Sequence, residues 1–268
     1  MTDEERTKLR RASAGALLLA SRRTERLMTA ASTVVIASAA HELLQHRRSD
    51  RRPKAGALLV LLAAAKQMTT GFTSAISAGR KQARSLAAQR LGEELRIAGI
   101  GSEMGSPGLH AASHMARMAA DELEANVAAE SLAGQWRSMA AREVLKAQRE
   151  IWQGGPYREM GEVPARDVAQ AVSSTAKDLG PRIARTATTE SARAYNDEHE
   201  ERLRDLVLSG DLDPGEVLRE WSALIDACER CWPHDGEQVR IDESFVGGDV
   251  PGSVHPRCAC SEILVSAV

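Results

Sequence analysis

The chain has 268 residues, long enough for one large or two modest domains with a real core. Its hydrophobic content of 43% is carried by Ala, Leu and Val, and aromatics make up only 3%, which suits close-packed helices and argues against a β-sandwich. The net charge of −2 conceals an asymmetry: residues 1–100 carry 18 Lys and Arg against 8 Asp and Glu, and the remainder 17 against 29. A basic first part attracts polyanions such as nucleic acid or an acidic protein surface, whereas charge runs as a rule form solvated helix faces.

Residues 1–50 read as helix, with Leu17, Leu18, Val34, Val35, Leu43 and Leu44 recurring among Ala and Ser. The run from Arg47 through Arg48, Arg51 and Arg52 to Pro53 and Lys54 is a break, because like charges repel and Pro53 disfavours helix at Arg52. Together with Arg22 and Arg23, these basic residues are the candidate contacts to nucleic acid or a protein partner. A second helix runs from about 55 to 99, or breaks near Gly71; Gly79 also weakens a single straight helix. The glycines at 99, 101, 105 and 108 make a loop, a third helix covers about 111–153, and Gly154-Gly155-Pro156 stops it. A shorter helix at 164–179 ends at Gly180-Pro181, and another starts at Pro181 and stops at Gly210.

From Pro181 the texture changes, and beyond Gly210 the chain reads as short pieces. Asp213-Pro214-Gly215 is a turn, and 216–228, with Trp221, reads as a strand or short helix. His234-Asp235-Gly236 marks a hairpin-like tight turn, Gly247 to Gly252 a flexible loop, and Ser261 to Val265 a terminal strand. The expected fold class is α+β, with a mainly α-helical N-terminal region (1–179) before a small α+β, metal-stapled C-terminal module (180–268). Met1-Thr-Asp-Glu-Glu is acidic where a secretory leader is basic. The longest uninterrupted apolar run, Ala57 to Ala65, is far shorter than the roughly 20 residues of a membrane span. A soluble, cytosolic protein without membrane contact is the expectation.

All four cysteines lie in the last forty residues, as Cys228-x-x-Cys231 and His255-x-x-Cys258-x-Cys260. A pair two residues apart can grip one metal ion from one tight turn, and zinc takes four such ligands in a tetrahedron. In a reducing cytosol metal is favoured over disulfides. Four ligands from five candidates leave a choice: Cys228, Cys231 and Cys258, completed by His255 or Cys260. A closed four-ligand site is structural, and its binding free energy becomes folding free energy. Pro256 is expected to hold the second pair extended, and Cys260 to share a face with Cys258 if that segment is a strand. His234 is a further candidate ligand better placed in the turn; Asp226, Asp235 and Asp242 read as solvated loop carboxylates. A His-based Mg²⁺ nuclease would need ligands that His234 and His255 alone do not supply. Cys258 with His255 as a nucleophilic pair is weaker still.

Taken in order, Arg185-Thr186 through Glu190 to Ala194-Tyr195-Asn196, then Trp221, Asp226, Cys228-Glu-Arg-Cys231, Asp235-Gly236 and His255-Pro-Arg-Cys258-Ala-Cys260 form a pattern. Over about residues 180–263 it resembles the Mu F-like minor head proteins of tailed phages, also called phage head morphogenesis proteins. Members commonly carry Arg where this chain has Ala259. The resemblance implies a non-enzymatic structural protein of the virion, made in the bacterial cytoplasm and built into the head near the portal. Its partners would be the portal protein and the major capsid protein, with double-stranded DNA as a further contact and structural Zn as cofactor. That family fold has been related to ADP-ribosyltransferases, so Arg185, Thr186 and Glu190 are the residues an enzymatic alternative would use. They fall within six positions, as on one helix surface. A nuclease, or a general nucleic-acid-binding protein using residues 1–100, completes the alternatives.

Overall fold

Four long helices precede a small sheet: α1 (Asp3–Gln45), α2 (Pro53–Ile97), α3 (Ala111–Gly154) and α4 (Ala165–Ser209), then β1 (Val217–Ser222), β2 (Gln238–Arg240) and β3 (Ser261–Ser266). The α+β class read from the sequence is what the chain adopts. This computed structural model describes residues 1–45, 53–100, 111–154, 165–223 and 227–267. The basic positions Arg47, Arg48, Arg51 and Arg52, most of the glycine loop after residue 100, and Asp226 lie outside them.

The chain divides into two compact units. One holds Met1–Glu25, Ile76–Asp121 and Arg185–Val268, the other Arg26–Ala75 and Glu122–Ala184. The C-terminal module therefore shares a unit with helical segments far away in sequence, and residue 180, the boundary that composition suggests, falls inside α4. In the second unit Met28, Val35, Ile36, Val60, Leu61, Met68, Phe72, Trp136 and Val172 are buried, and the Trp136 indole N–H donates to Thr175 Oγ1 at 2.9 Å. In the first, Ala16, Leu17, Ala20, Ala83, Ala87 and Ala192 pack around Tyr195, whose hydroxyl bonds Ser13 Oγ. Alanine at most positions of this cluster lets the helices approach closely there, which is what an Ala-rich, aromatic-poor sequence can build.

Of the two readings of the second helix, the continuous one is what forms: α2 passes through Gly71 and Gly79 without interruption. Both glycines serve packing: a Cβ on Gly71 would meet Ala31 Cβ at 3.0 Å, and one on Gly79 would meet Thr24 Oγ1 at 1.8 Å. α4 likewise continues through Gly180-Pro181, so the two helices expected there are one. The usual clash of a proline ring with the preceding Cβ does not arise after glycine. The buried Leu179 and Ile183, either side of the proline, offset the lost backbone hydrogen bond by packing.

The sheet order is β2-β1-β3, antiparallel throughout, with Trp221 opposite Glu262 and Arg219 opposite Leu264. β1 and β3 are buried on both faces. Ile263 and Val265 pack against Leu9 of α1, while Leu264 and Val217 join Leu91, Leu95, Leu203 and Leu206 of α2 and α4. The terminal strand is as expected, and within 216–228 the chain forms a strand, not a helix, over Val217–Ser222. The Asp235-Gly236 corner, with Gly236 at φ 81°, feeds β2 but does not close a two-residue hairpin. The whole segment 223–237 connects β1 to β2, and it carries the first cysteine pair.

α1 also contains an 18-residue window of mean hydropathy 1.4, enough by length and composition to cross a membrane, of which 39% is buried. Counting uninterrupted apolar residues overlooked it, because Ser and Thr break the runs while the average stays high.

The glycine contacts give a paired test. Gly79→Ala should lower stability by about 1–3 kcal/mol through overpacking against Thr24. Gly134→Ala, in open space within α3, should raise it by about 0.5–1 kcal/mol. Urea unfolding followed by circular dichroism measures both.

Candidate metal centre

Each sulfur pair begins as a tight turn. The Cys231 N–H donates to the Cys228 carbonyl at 2.9 Å, and the Cys258 N–H to the His255 carbonyl at 3.0 Å. The second turn has Pro256 at its first corner and Arg257 at its second, with φ 71° at Arg257. That is the pattern of a type II turn, whose second corner favours glycine. Pro256 thus shapes a turn rather than the extended segment expected of it. An arginine in the left-handed region costs about 1 kcal/mol relative to glycine.

The two turns meet. His255 Nε2 lies 3.0 Å from Cys228 Sγ and 3.1 Å from Cys231 Sγ, and Cys231 Sγ lies 3.7 Å from Cys258 Sγ. The ligand atoms of Cys228, Cys231 and His255 all fall within 4.8 Å of one another, as do those of Cys231, Cys258 and Cys260. Cys231 belongs to both sets. No cysteine is in a disulfide. All five sequence candidates therefore converge, in an arrangement compatible with a metal ion. β3 starts only at Ser261, so Cys260 reaches the cluster from a loop end and not from a strand face.

The surroundings suit soft-ligand chemistry. The Pro256 carbonyl lies 2.9 Å from His255 Nδ1, which donates to it and leaves Nε2 with its lone pair facing the sulfurs. Trp221, Cys231, Phe245, Cys258 and Cys260 form one buried cluster, with Phe245 edge-on to Trp221 at 5.1 Å. Hydrogen bonding from Cys260 outweighs burial and holds the Cys258 thiol down at about 5. The reciprocal bond from Cys258, with burial, pushes Cys260 well up. Burial and the neighbouring Cys258 push Cys231 to about 12. At Cys228 burial raises the thiol most, but the backbone N–H groups of Cys231 and Arg230, with the Cys231 thiol and His255, together lower it. One sulfur anion shared among neighbouring thiols is a site ready to lose further protons to a cation.

His234 takes no part. Its ring stacks on Trp221 at 4.6 Å, its Nδ1 lies 2.6 Å from Glu237 and its Nε2 3.5 Å from Asp249. Asp235 accepts from the Ala223 N–H and from Arg10, and Asp242 pairs with Arg240. Of the basic candidates, Arg22 and Arg23 are exposed on α1, and Lys54 falls in the first turn of α2.

The face of α4 that holds the cluster was only partly visible beforehand. Thr189 Oγ1 accepts the Arg257 N–H at 2.9 Å. Gly252 lies so close that a Cβ there would meet Asn196 Nδ2 at 2.7 Å and the Ala192 carbonyl carbon at 3.1 Å. Asn196 donates to the Cys260 carbonyl at 3.0 Å and accepts from the Glu262 N–H at 3.1 Å. Positions 189, 192, 196 and 199 share one helix face by their spacing. Glu190, a candidate for the enzymatic alternative, binds Arg80 at 2.8 Å; Arg80 also binds Asp121, and Asp121 binds Arg84.

His199 was missed altogether. It is fully buried, with Glu94 Oε2 at 2.7 Å from Nε2 and Glu262 Oε1 at 3.0 Å from Nδ1. Carboxylates only accept, so both ring nitrogens donate and the ring is an imidazolium. Burial pulls its pKa down, but the Glu94 charge and the hydrogen bonds from both carboxylates raise it to about 10. Glu94 also takes the Leu264 N–H at 2.9 Å, and Glu262 pairs with Arg219 at 3.2 Å. The signal available in sequence was a His three residues after Asn196, with nothing to name its distant partners.

No family model matches this chain, and neither do any curated proteins or solved structures.

A raised folded-state pKa makes the His199 contribution fully present below its unfolded value near 6.5 and lost as pH rises through about 10. Stability should fall between those limits. His199→Gln should flatten that slope and cost about 3–5 kcal/mol, by leaving the buried Glu94 without a cation and Glu262 with Arg219 alone. Urea unfolding at pH 6, 8 and 10 checks both.

Proposed function

We propose that Cys228, Cys231, His255 and Cys258 hold one structural zinc ion, with Cys260 hydrogen-bonded behind Cys258. The observation that carries this is the meeting of the two turns. A tetrahedron with zinc–sulfur bonds near 2.3 Å has sulfur–sulfur edges of about 3.8 Å, and Cys231 and Cys258 stand 3.7 Å apart. His255 adds a correctly oriented Nε2, and His255 and Cys258 belong to one turn, as do Cys228 and Cys231. When bound, zinc supplies charge and four fixed bonds, which tie the loops between the strands. Four protein ligands leave no position for a substrate.

On this reading the chain is a minor head protein of a tailed phage, a structural component near the portal. Support comes from the resemblance over residues 180–263, several of whose residues lie on the helix face and loops that build the cluster. Thr189, Tyr195 and Asn196 hold loops or core, and the cysteines and His255 form the proposed zinc site. A closed staple suits a protein that is assembled rather than one that turns over substrate. The portal and major capsid proteins are the proposed partners.

Purified protein should contain about one zinc per chain by plasma mass spectrometry, with thiols that react only after chelation. Cys231→Ser and Cys258→Ser should abolish zinc, and Cys260→Ser should retain it. Helical circular dichroism should change little in the zinc-free variants, since the helices are held by their own packing and ion pairs. Metal-free protein with unreactive thiols would refute the zinc site. Quantitative mass spectrometry of purified virions should find the chain at far fewer copies than the capsid subunit and co-purifying with the portal; its absence from particles would refute the virion role.

A further inference from the structure

Arg230 and Arg257 occupy equivalent places in the two turns, each directly before a buried cysteine (Cys-Glu-Arg-Cys and His-Pro-Arg-Cys). Cys231 and Cys258 Sγ are 3.7 Å apart, so the turns lie side by side, and both arginines are exposed. The Thr189 hydroxyl accepts from the Arg257 N–H and donates to the Arg185 carbonyl, each at 2.9 Å. The Arg257 turn therefore rests on the α4 stripe that carries Arg185 and Arg193, one helical turn either side of Thr189, both exposed.

These arginines stand out against their surroundings. Residues 185–268 contain 18 Asp and Glu, 8 Arg and no Lys, so carboxylates are in excess. Arg204, Arg219 and Arg240 are ion-paired. Among the described residues, Arg185, Arg230 and Arg257 have no carboxylate within 4 Å. Arg193 reaches only Glu190, at 4.0 Å, and Glu190 is already engaged by Arg80. Trp232, next to Cys231, leaves 59% of its surface exposed, whereas Trp221 is buried. Finally, Arg257 sits at φ 71°, a left-handed position where glycine would be unstrained, as at sites where backbone strain marks function.

We propose that this surface binds single-stranded nucleic acid without sequence preference, with backbone phosphates on Arg185, Arg193, Arg230 and Arg257 and a base stacked on Trp232. Guanidinium groups fit phosphate in a two-pronged geometry, and an exposed indole on the same turn as Arg230 offers a base a stacking face. The inference does not depend on the virion role. It also moves the nucleic-acid contact from the basic N-terminal residues to the metal-binding turns. An acidic protein segment is the competing occupant.

The test is fluorescence anisotropy of a labelled 20-nucleotide oligo-dT with the full chain, over a range of salt. Binding should weaken with a log–log salt slope of about −3, as four neutralised phosphates on a single strand require. Arg230→Gln with Arg257→Gln should reduce that slope by about 1.4 while zinc content stays unchanged. Trp232→Ala should weaken binding about tenfold. Arg257→Gly should raise the melting temperature and still weaken binding, which separates the side chain from the backbone. Arg22→Gln with Arg23→Gln should leave binding unchanged. The proposal is overturned by no binding at 50 mM salt, by binding indifferent to the Arg230, Arg257 and Trp232 changes, by loss only in the Arg22 and Arg23 variant, or by poly-L-glutamate displacing the oligonucleotide at equal charge.

Discussion

The first unit is organised around one buried cation. His199 on α4 lies between Glu94 on α2 and Glu262 on β3, and the two carboxylates extend the connection to the Leu264 backbone and to Arg219 on β1. Two carboxylates, one imidazolium and one guanidinium balance to zero, which is the condition under which charges tolerate burial. Two helices and two strands are thereby fixed to one point. The geometry is demanding, since both ring nitrogens must find acceptors at once, and this sets the register of β3 against the helix. The cysteine cluster sits just upstream of that strand and inherits its position from it.

The same logic recurs in the long helices. An alanine core provides close approach but little apolar area per residue, so apolar burial alone discriminates weakly between registers. Buried ion pairs supply the missing specificity: Arg80 joins Asp121 of α3 and Glu190 of α4, and Arg84 joins Asp121 and Glu198. Arg84 is held above its ordinary value because its bonds and charges from Asp121 and Glu198 outweigh burial. The steric counterpart is Gly79 against Thr24, where no side chain beyond hydrogen fits. Charge and shape together fix which residues of α1, α2, α3 and α4 face one another.

At the cluster, two turns of unequal conformational comfort are held edge to edge. The first forms readily; the second carries an arginine where glycine belongs. α4 supports that turn through Thr189 and the following segment through Asn196, so the cluster's geometry is set by a helix that contributes no ligand. Neither the segment around Tyr195 and Asn196 nor the cysteine turns reveal that contact by themselves in the sequence.

The sequence by itself determined the helix content, the position of the terminal strand and the identity of the cluster residues. Composition, periodicity and ligand spacing are local properties, and local geometry follows from them. It did not determine that α2 runs through two glycines or that α4 runs through Pro181, because packing partners far away in the chain decide whether a weak helix position is tolerated. Nor did it single out His199, since a lone histidine in a helix carries no mark of the carboxylates 105 and 63 residues distant that hold it. Which loops meet, and which charges are buried together, only the tertiary structure decided, because pairing across such separations depends on where the whole fold brings the chain.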